Sequence, residues 1–201
     1  LFPPRDAHGM RLGGFGRGGG RVPGQPEYPP AGVEIDYHFA AAPSGEVKLE
    51  ILDASGAVVR GYTSAAGGYE MEIFQEGMRG PETVRVAGPR LVAGAGTHRF
   101  TWDMSAPGPW TPQGLAARGP LVVPGEYRVR LSADGWSETR PFRLLPDPRV
   151  EADGVTAEVL QEQFGLSIRT RDVLSEARRT AERLSAARRD LESAQAAGQE
   201  E

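Results

Sequence analysis

Period-two alternation governs much of the first 145 residues. Val33, Ile35, Tyr37 and Phe39 alternate with Glu34, Asp36 and His38, the pattern of a strand with one face buried and one wet. Pro43-Ser44-Gly45 is a turn, after which Val47, Leu49 and Ile51 alternate with Glu46, Lys48 and Glu50. Asp53-Ala54-Ser55-Gly56 predicts a tight hairpin, because Asp accepts hydrogen bonds from its own backbone and Gly takes the left-handed position; Val58-Val59 opens the return strand. His98, Phe100 and Trp102 share one strand face, and Arg99 and Thr101 take the other. Tyr127, Val129 and Leu131 alternate with Arg128 and Arg130, and Ala133-Asp134-Gly135 predicts a short hairpin into a strand holding Phe142 and Leu144. The spacing is looser elsewhere. Residues 61–96 read as a long insertion with one or two short strands around Tyr69, Met71 and Ile73, and 104–122 as an irregular loop rich in Pro and Gly.

At Thr156 the period changes to that of a helix. Leu160, Phe164, Val173, Ala177, Ala181, Leu184, Ala187 and Leu191 form an apolar stripe, with Thr156 as a cap and Glu158 suited to the first turn. Gly165 marks a bend or a break between two helices. The stripe is narrow and rich in Ala, so the helical segment needs a host surface. The pattern predicts a mainly β chain: an Ig-like or fibronectin-like antiparallel β-sandwich over 32–146, an extended Gly/Pro-rich arm over 1–31, and a linker with C-terminal α-helices over 147–201.

Composition sharpens this division. The 27 Gly and 17 Pro are unevenly placed, and the run Leu12 to Gly20 costs too much entropy to order alone. Residues 23–30 favour extended, polyproline-like backbone, so an ordered arm is expected to be ordered by a neighbour. A net charge of −4 argues against a nucleic-acid partner. With no Cys, neither a disulfide nor a thiolate metal site can form, and no apolar run approaches the roughly 20 residues of a membrane span. The chain opens on Leu1, so the expectation is a processed product or part of a longer chain, with any signal peptide upstream.

Candidate chemistry is sparse. His8, His38 and His98 show no metal-ligand spacing, and Gly13 to Gly20 lacks the Lys-Ser/Thr of a phosphate loop. Asp36, Asp53, Asp103 and Asp134 could supply paired carboxylates, but turns account for Asp53 and Asp134, Asp36 falls on a polar face, and Asp103 ends a strand. There is no Gly-x-Ser-x-Gly nucleophile motif. No catalytic, metal or cofactor residue is therefore expected, and no cofactor. The expected partner contacts are Phe2, Phe15 and Tyr28, isolated aromatics on the arm; Trp110, in a Pro/Gly loop where it is either a buried anchor or an exposed peg; and Leu184 and Leu191 on the helix.

The segments Leu52 to Arg60, Gly96 to Asp103 and Pro124 to Leu131 resemble the immunoglobulin-like domain of flagellar hook-capping proteins. A Gly-rich lead into Pro29 to Tyr37, the strand end Trp102-Asp103, the Pro124 to Tyr127 strand and the link Asp147 to Val150 look closer still to the C-terminal region of bacterial sortilin-like proteins with BNR-repeat β-propellers, often classed as glycosyl hydrolases. No BNR-type Ser-x-Asp-x-Gly-x-Thr-Trp box occurs in the 201 residues, so the enzymatic label does not carry over. The resemblance implies an extracytoplasmic location, periplasmic or secreted. The expected function is a non-catalytic interaction module, an accessory or scaffold subunit held by other protein subunits on the extracytoplasmic face of a membrane-associated complex of energy-converting or secretion type. The alternatives are the C-terminal accessory domain of a sortilin-like propeller hydrolase or receptor, and a carbohydrate-binding sandwich with Trp110 and Tyr69 as stacking platforms.

Overall fold

The computed structural model describes residues 1–9, 32–73 and 81–197, with side chains through residue 195. Eleven strands and two helices are present among them. The strands are β1 (Ala7–His8), β2 (Val33–Phe39), β3 (Lys48–Leu52), β4 (Val58–Thr63), β5 (Tyr69–Ile73), β6 (Glu82–Val86), β7 (Gly96–Trp102), β8 (Trp110–Thr111), β9 (Gly114–Leu115), β10 (Gly125–Ala133) and β11 (Trp136–Leu145); the helices are α1 (Pro148–Ala152) and α2 (Ala157–Ala197).

The alternating segments pair as their polarity requires. A five-stranded sheet runs β1-β11-β10-β3-β4, with every pair antiparallel except the short parallel addition of β1 to β11. A ribbon of β2 and β7 supplies a second apolar face, and one core joins them: Val33, Ile35 and Tyr37 of β2, Leu49 and Ile51 of β3, Phe100 and Trp102 of β7, Tyr127, Val129 and Leu131 of β10, Phe142 and Leu144 of β11. Trp102 is wholly buried. Its ring meets Phe142 edge-on at 6.2 Å, and its indole N–H donates to the Ser105 carbonyl at 3.2 Å, so the polar end of the largest core side chain is satisfied.

A third sheet, β5-β6-β9-β8, has its own small core of Tyr69, Val84, Val86 and Leu115. It joins the main sheet through a close approach at Gly61 of β4, where a Cβ would strike the Tyr69 ring. Glycine is required there by space, with no demand on backbone angle.

Three expectations need correction. The chain is mixed rather than mainly β, because α2 alone spans 41 residues. Gly165 does not break that helix: Phe164 and Ile168 on either side are pinned to the main core, which outweighs the roughly 1 kcal/mol a mid-helix glycine costs. The segment 104–122, expected as irregular loop, holds β8, β9 and an isolated bridge between Ser105 and Leu121, elements too short to carry a period.

The first nine residues are also held by the chain itself. β1 lies along β11, the Gly9 N–H donates to the Leu145 carbonyl at 2.8 Å, and the Asp6 carboxylate accepts from the Arg143 backbone N–H at 2.9 Å and from its guanidinium. This part of the arm needs no outside neighbour. Among the described residues no helix is long and apolar enough to cross a membrane.

Candidate interaction surface

The junction of α2 with the third sheet is built around Trp110. The Trp110 N–H donates to the Ser175 hydroxyl at 2.9 Å, and that hydroxyl donates in turn to the Arg171 carbonyl at 2.7 Å. Arg178 donates to the Trp110 carbonyl at 3.3 Å, and the Arg179 guanidinium lies over the indole, 5.5 Å from its centre, while pairing with Glu82 at 3.2 Å. Arg171 reaches the Pro107 carbonyl at 3.3 Å. Serine at 175 has a small enough side chain to let helix and strand backbones approach, and its single hydroxyl satisfies the outer N–H of β8.

The protein's own helix engages Trp110. It is half-buried and held by the protein's own helix, the arrangement of an anchor. Tyr69 is buried, with its hydroxyl donating to Glu50 at 2.5 Å, so its ring offers no open platform for a sugar. Phe15 and Tyr28 lie outside the described residues. The Phe2 side chain is half exposed, while its backbone N–H donates to the Asp36 carbonyl at 2.9 Å.

Leu184 and Leu191 stand in the open, 68% and 66% exposed. The helix meets the domain through Phe164, Ile168, Arg171, Ser175 and Arg179; beyond Arg179 it projects, every side chain through residue 195 being exposed except the partly covered Ala186. Val159, Leu166, Val173 and Leu174 join the exposed apolar residues of α2. Sequence reasoning placed Val173 in one stripe with Leu160 and Phe164, whereas the latter two turn toward the domain and Val173 turns away.

The carboxylates each have a local task. Asp36 is clasped by Arg99 through Nε at 2.7 Å and Nη2 at 2.8 Å, a two-pronged bond that holds its carboxyl below the usual value. Asp53 accepts from Ser55 and Ala57 within its hairpin. Asp103 accepts from Ser105 and Arg118. Asp134, at φ 49° in the β10–β11 turn, accepts from Ser44 and from the Gly45 backbone, tying two loops together; these bonds depress its carboxyl. Glu50, between sheets, is pulled up by burial but pulled down further by hydrogen bonds from Arg130 at 2.7 Å and from Tyr69, and ends below its ordinary range.

None of the three histidines joins a metal site: among the described residues, no group of three or more His, Asp or Glu could hold an ion. His98 faces the Gly94 carbonyl, His38 the Thr97 hydroxyl and His8 the Pro146 carbonyl. A groove of about 580 Å³ between residues 120–124, α1 and α2 is lined by Leu121, Val123, Leu160 and Phe164, with Asp147 and Arg149 at its polar side. Asp147 there is bonded to Arg149 through both oxygens and caps α1, leaving no carboxylate poised for proton transfer.

One buried cation escaped sequence reasoning. Arg60 is 1% exposed, donates to the Ala87 carbonyl at 2.5 Å and lies against the Tyr62 ring, while its Nε and Nη1 have no hydrogen-bond partner. An Arg on the return strand of a hairpin reads as a solvent residue, and here the Ala87 carbonyl following β6 and the Tyr62 ring enclose it. No protein-family model, no curated protein and no solved structure matches this chain.

Proposed function

We propose that this protein is a non-catalytic interaction module: an accessory or scaffold subunit whose domain is an Ig-like sandwich and whose long helix docks on another protein subunit at the extracytoplasmic face of a membrane-associated complex. One observation carries the reading. α2 is 41 residues long, yet only its first half is used to hold the domain together, and the rest displays Leu184 and Leu191 to solvent. A helix of that length without a covered face gains little stability from its own sequence and gains it by association. The core shared by the five-stranded sheet and the β2–β7 ribbon supports the sandwich. The likeness to the C-terminal region of sortilin-like proteins supports the extracytoplasmic setting.

The test is site-specific photo-crosslinking in the native cell. A photoreactive residue at Leu184 or Leu191 should give a discrete adduct, and one at Glu126, exposed on β10, should not. If neither helix position yields an adduct of any mass, the docking role is wrong.

A further inference from the structure

α2 carries a second pattern on the side away from the domain. Leu166, Thr170, Val173, Ala177, Thr180, Leu184, Ala187 and Leu191 follow one another in alternating steps of four and three, the spacing of the apolar seam of a coiled coil. The seam holds that rhythm for 26 residues, about 38 Å of helix. Its four large members, Leu166, Val173, Leu184 and Leu191, are 59%, 66%, 68% and 66% exposed. The residues that grip the domain, Phe164, Ile168, Arg171, Ser175 and Arg179, fall on the opposite side of the helix. The Thr170 hydroxyl donates to the Leu166 carbonyl at 2.9 Å, so it brings no unpartnered group to the seam.

The order of residues along the seam is what identifies its occupant. Resting on the docking role above, we propose that α2 pairs antiparallel with α2 of a second copy of this chain, about a two-fold axis between Arg178 and Arg179. That axis sets Leu166 opposite Leu191 of the second copy, Val173 opposite Leu184, Thr170 opposite Ala187, and Ala177 opposite Thr180. Large residues meet large ones at both ends, and small ones meet at the middle, where the backbones can come closest. The flanking charges obey the same axis. Glu176 meets Arg183 of the second copy and Arg169 meets Asp190, giving four complementary pairs by symmetry. Among the described residues none of these four enters an ion pair within its own chain. The remaining flank places Leu174 against Ala181, extending the apolar contact. A parallel pair would bring Arg183 against Arg188 and match none of the other charges. Among the described residues, the contacts that hold each domain lie on the side of its helix away from the seam.

The chain lacks cysteine, so disulfide trapping reads the arrangement directly. The full chain should sediment at 43.2 kDa, twice its 21.6 kDa. Val173→Cys mixed with Leu184→Cys should oxidise to a mixed dimer, and neither should cross-link alone, because like positions in the antiparallel pair are about 16 Å apart, beyond the roughly 7 Å a disulfide spans. Glu176→Arg should weaken the dimer roughly tenfold, and adding Arg183→Glu should restore it. All these positions are exposed, so unchanged circular dichroism confirms folding. Cross-linking of either single variant with itself means a parallel pair and overturns the proposal. So does a chain that stays at 21.6 kDa, or a dimer insensitive to Glu176→Arg. A monomer that still gives a heterologous photo-adduct at Leu184 sinks the self-pairing alone; a monomer with no adduct sinks the docking role as well.

Discussion

Arg60 shows how little a buried charge need contribute. Its guanidinium makes one good hydrogen bond and one ring contact, while two of its nitrogens are left without partners in the interior. Desolvation of such an ion costs several kcal/mol, and replacing it with an apolar chain of similar volume is often neutral or better. Arg60→Met should therefore unfold in urea at an equal or higher concentration than the parent, whereas Arg60→Ala, which opens a cavity, should lose about 2–4 kcal/mol. Equal losses for both variants would mean that the charge itself is stabilising. Glu50 is the contrasting case. Burial raises its carboxyl, but Arg130 and Tyr69 lower it by more, so its folded value lies under the usual 4.5. A group depressed in the folded state stabilises at neutral pH and forfeits that contribution as pH falls from its ordinary value through the folded one. Stability should thus decline below about pH 4.5, and Glu50→Gln should lessen the decline while costing about 1.5–3 kcal/mol at pH 7. A pH series of thermal melts for both proteins reads the difference. Neither residue stood out in sequence. Glu50 occupies a wet-looking strand position, and the third sheet that covers it is made from segments without a clean period.

At the scale of elements, alternation located the main strands well. β2, β3, β7, β10 and β11 all fall where apolar and polar residues interleave, and the turns at Asp53 and Asp134 are the hairpins their side chains favour. The helix was legible as a helix and illegible in register. Past Ile168 the face that meets the domain is Arg171, Ser175 and Arg179, polar residues serving backbone carbonyls, an N–H and an indole ring, so the inward side gives no hydrophobic signal. The apolar residues that remain point outward. Ser175 is central to this arrangement, and at 2% exposure its hydroxyl accepts from the Trp110 N–H. Ser175→Ala should leave that donor buried and unpaired, at about 1–3 kcal/mol. The loss belongs to the helix junction, so hydrogen exchange should quicken at Trp110 and along residues 168–179 while β10 and β11 keep their protection. Uniform quickening across the molecule would place α2 inside the cooperative core instead.

The whole molecule joins a β core to a helix that holds the domain over its first half and projects over the rest. Phe164 and Ile168 close the main core, and among the described residues Arg179 is the last buried residue of α2. Among the described residues nothing after it through residue 195 is buried, and only Ala186 is partly covered. A chain ending at Thr180 should consequently melt within about 2 °C of the parent when both are monomeric, because surface residues away from packed features change stability by under about 0.5 kcal/mol. A chain ending at Gln163 should melt far lower, since Phe164, Ile168 and the whole Trp110 junction go with the missing segment. The two truncations also separate folding from association. If the seam pairs copies, the chain ending at Thr180 retains Leu166 and Val173 but loses Leu184 and Leu191, their counterparts in the antiparallel register. Calorimetry over a concentration series should then find a melting temperature that rises with concentration for the full chain, as mass action requires of a dimer, and one that stays flat for the truncated chain.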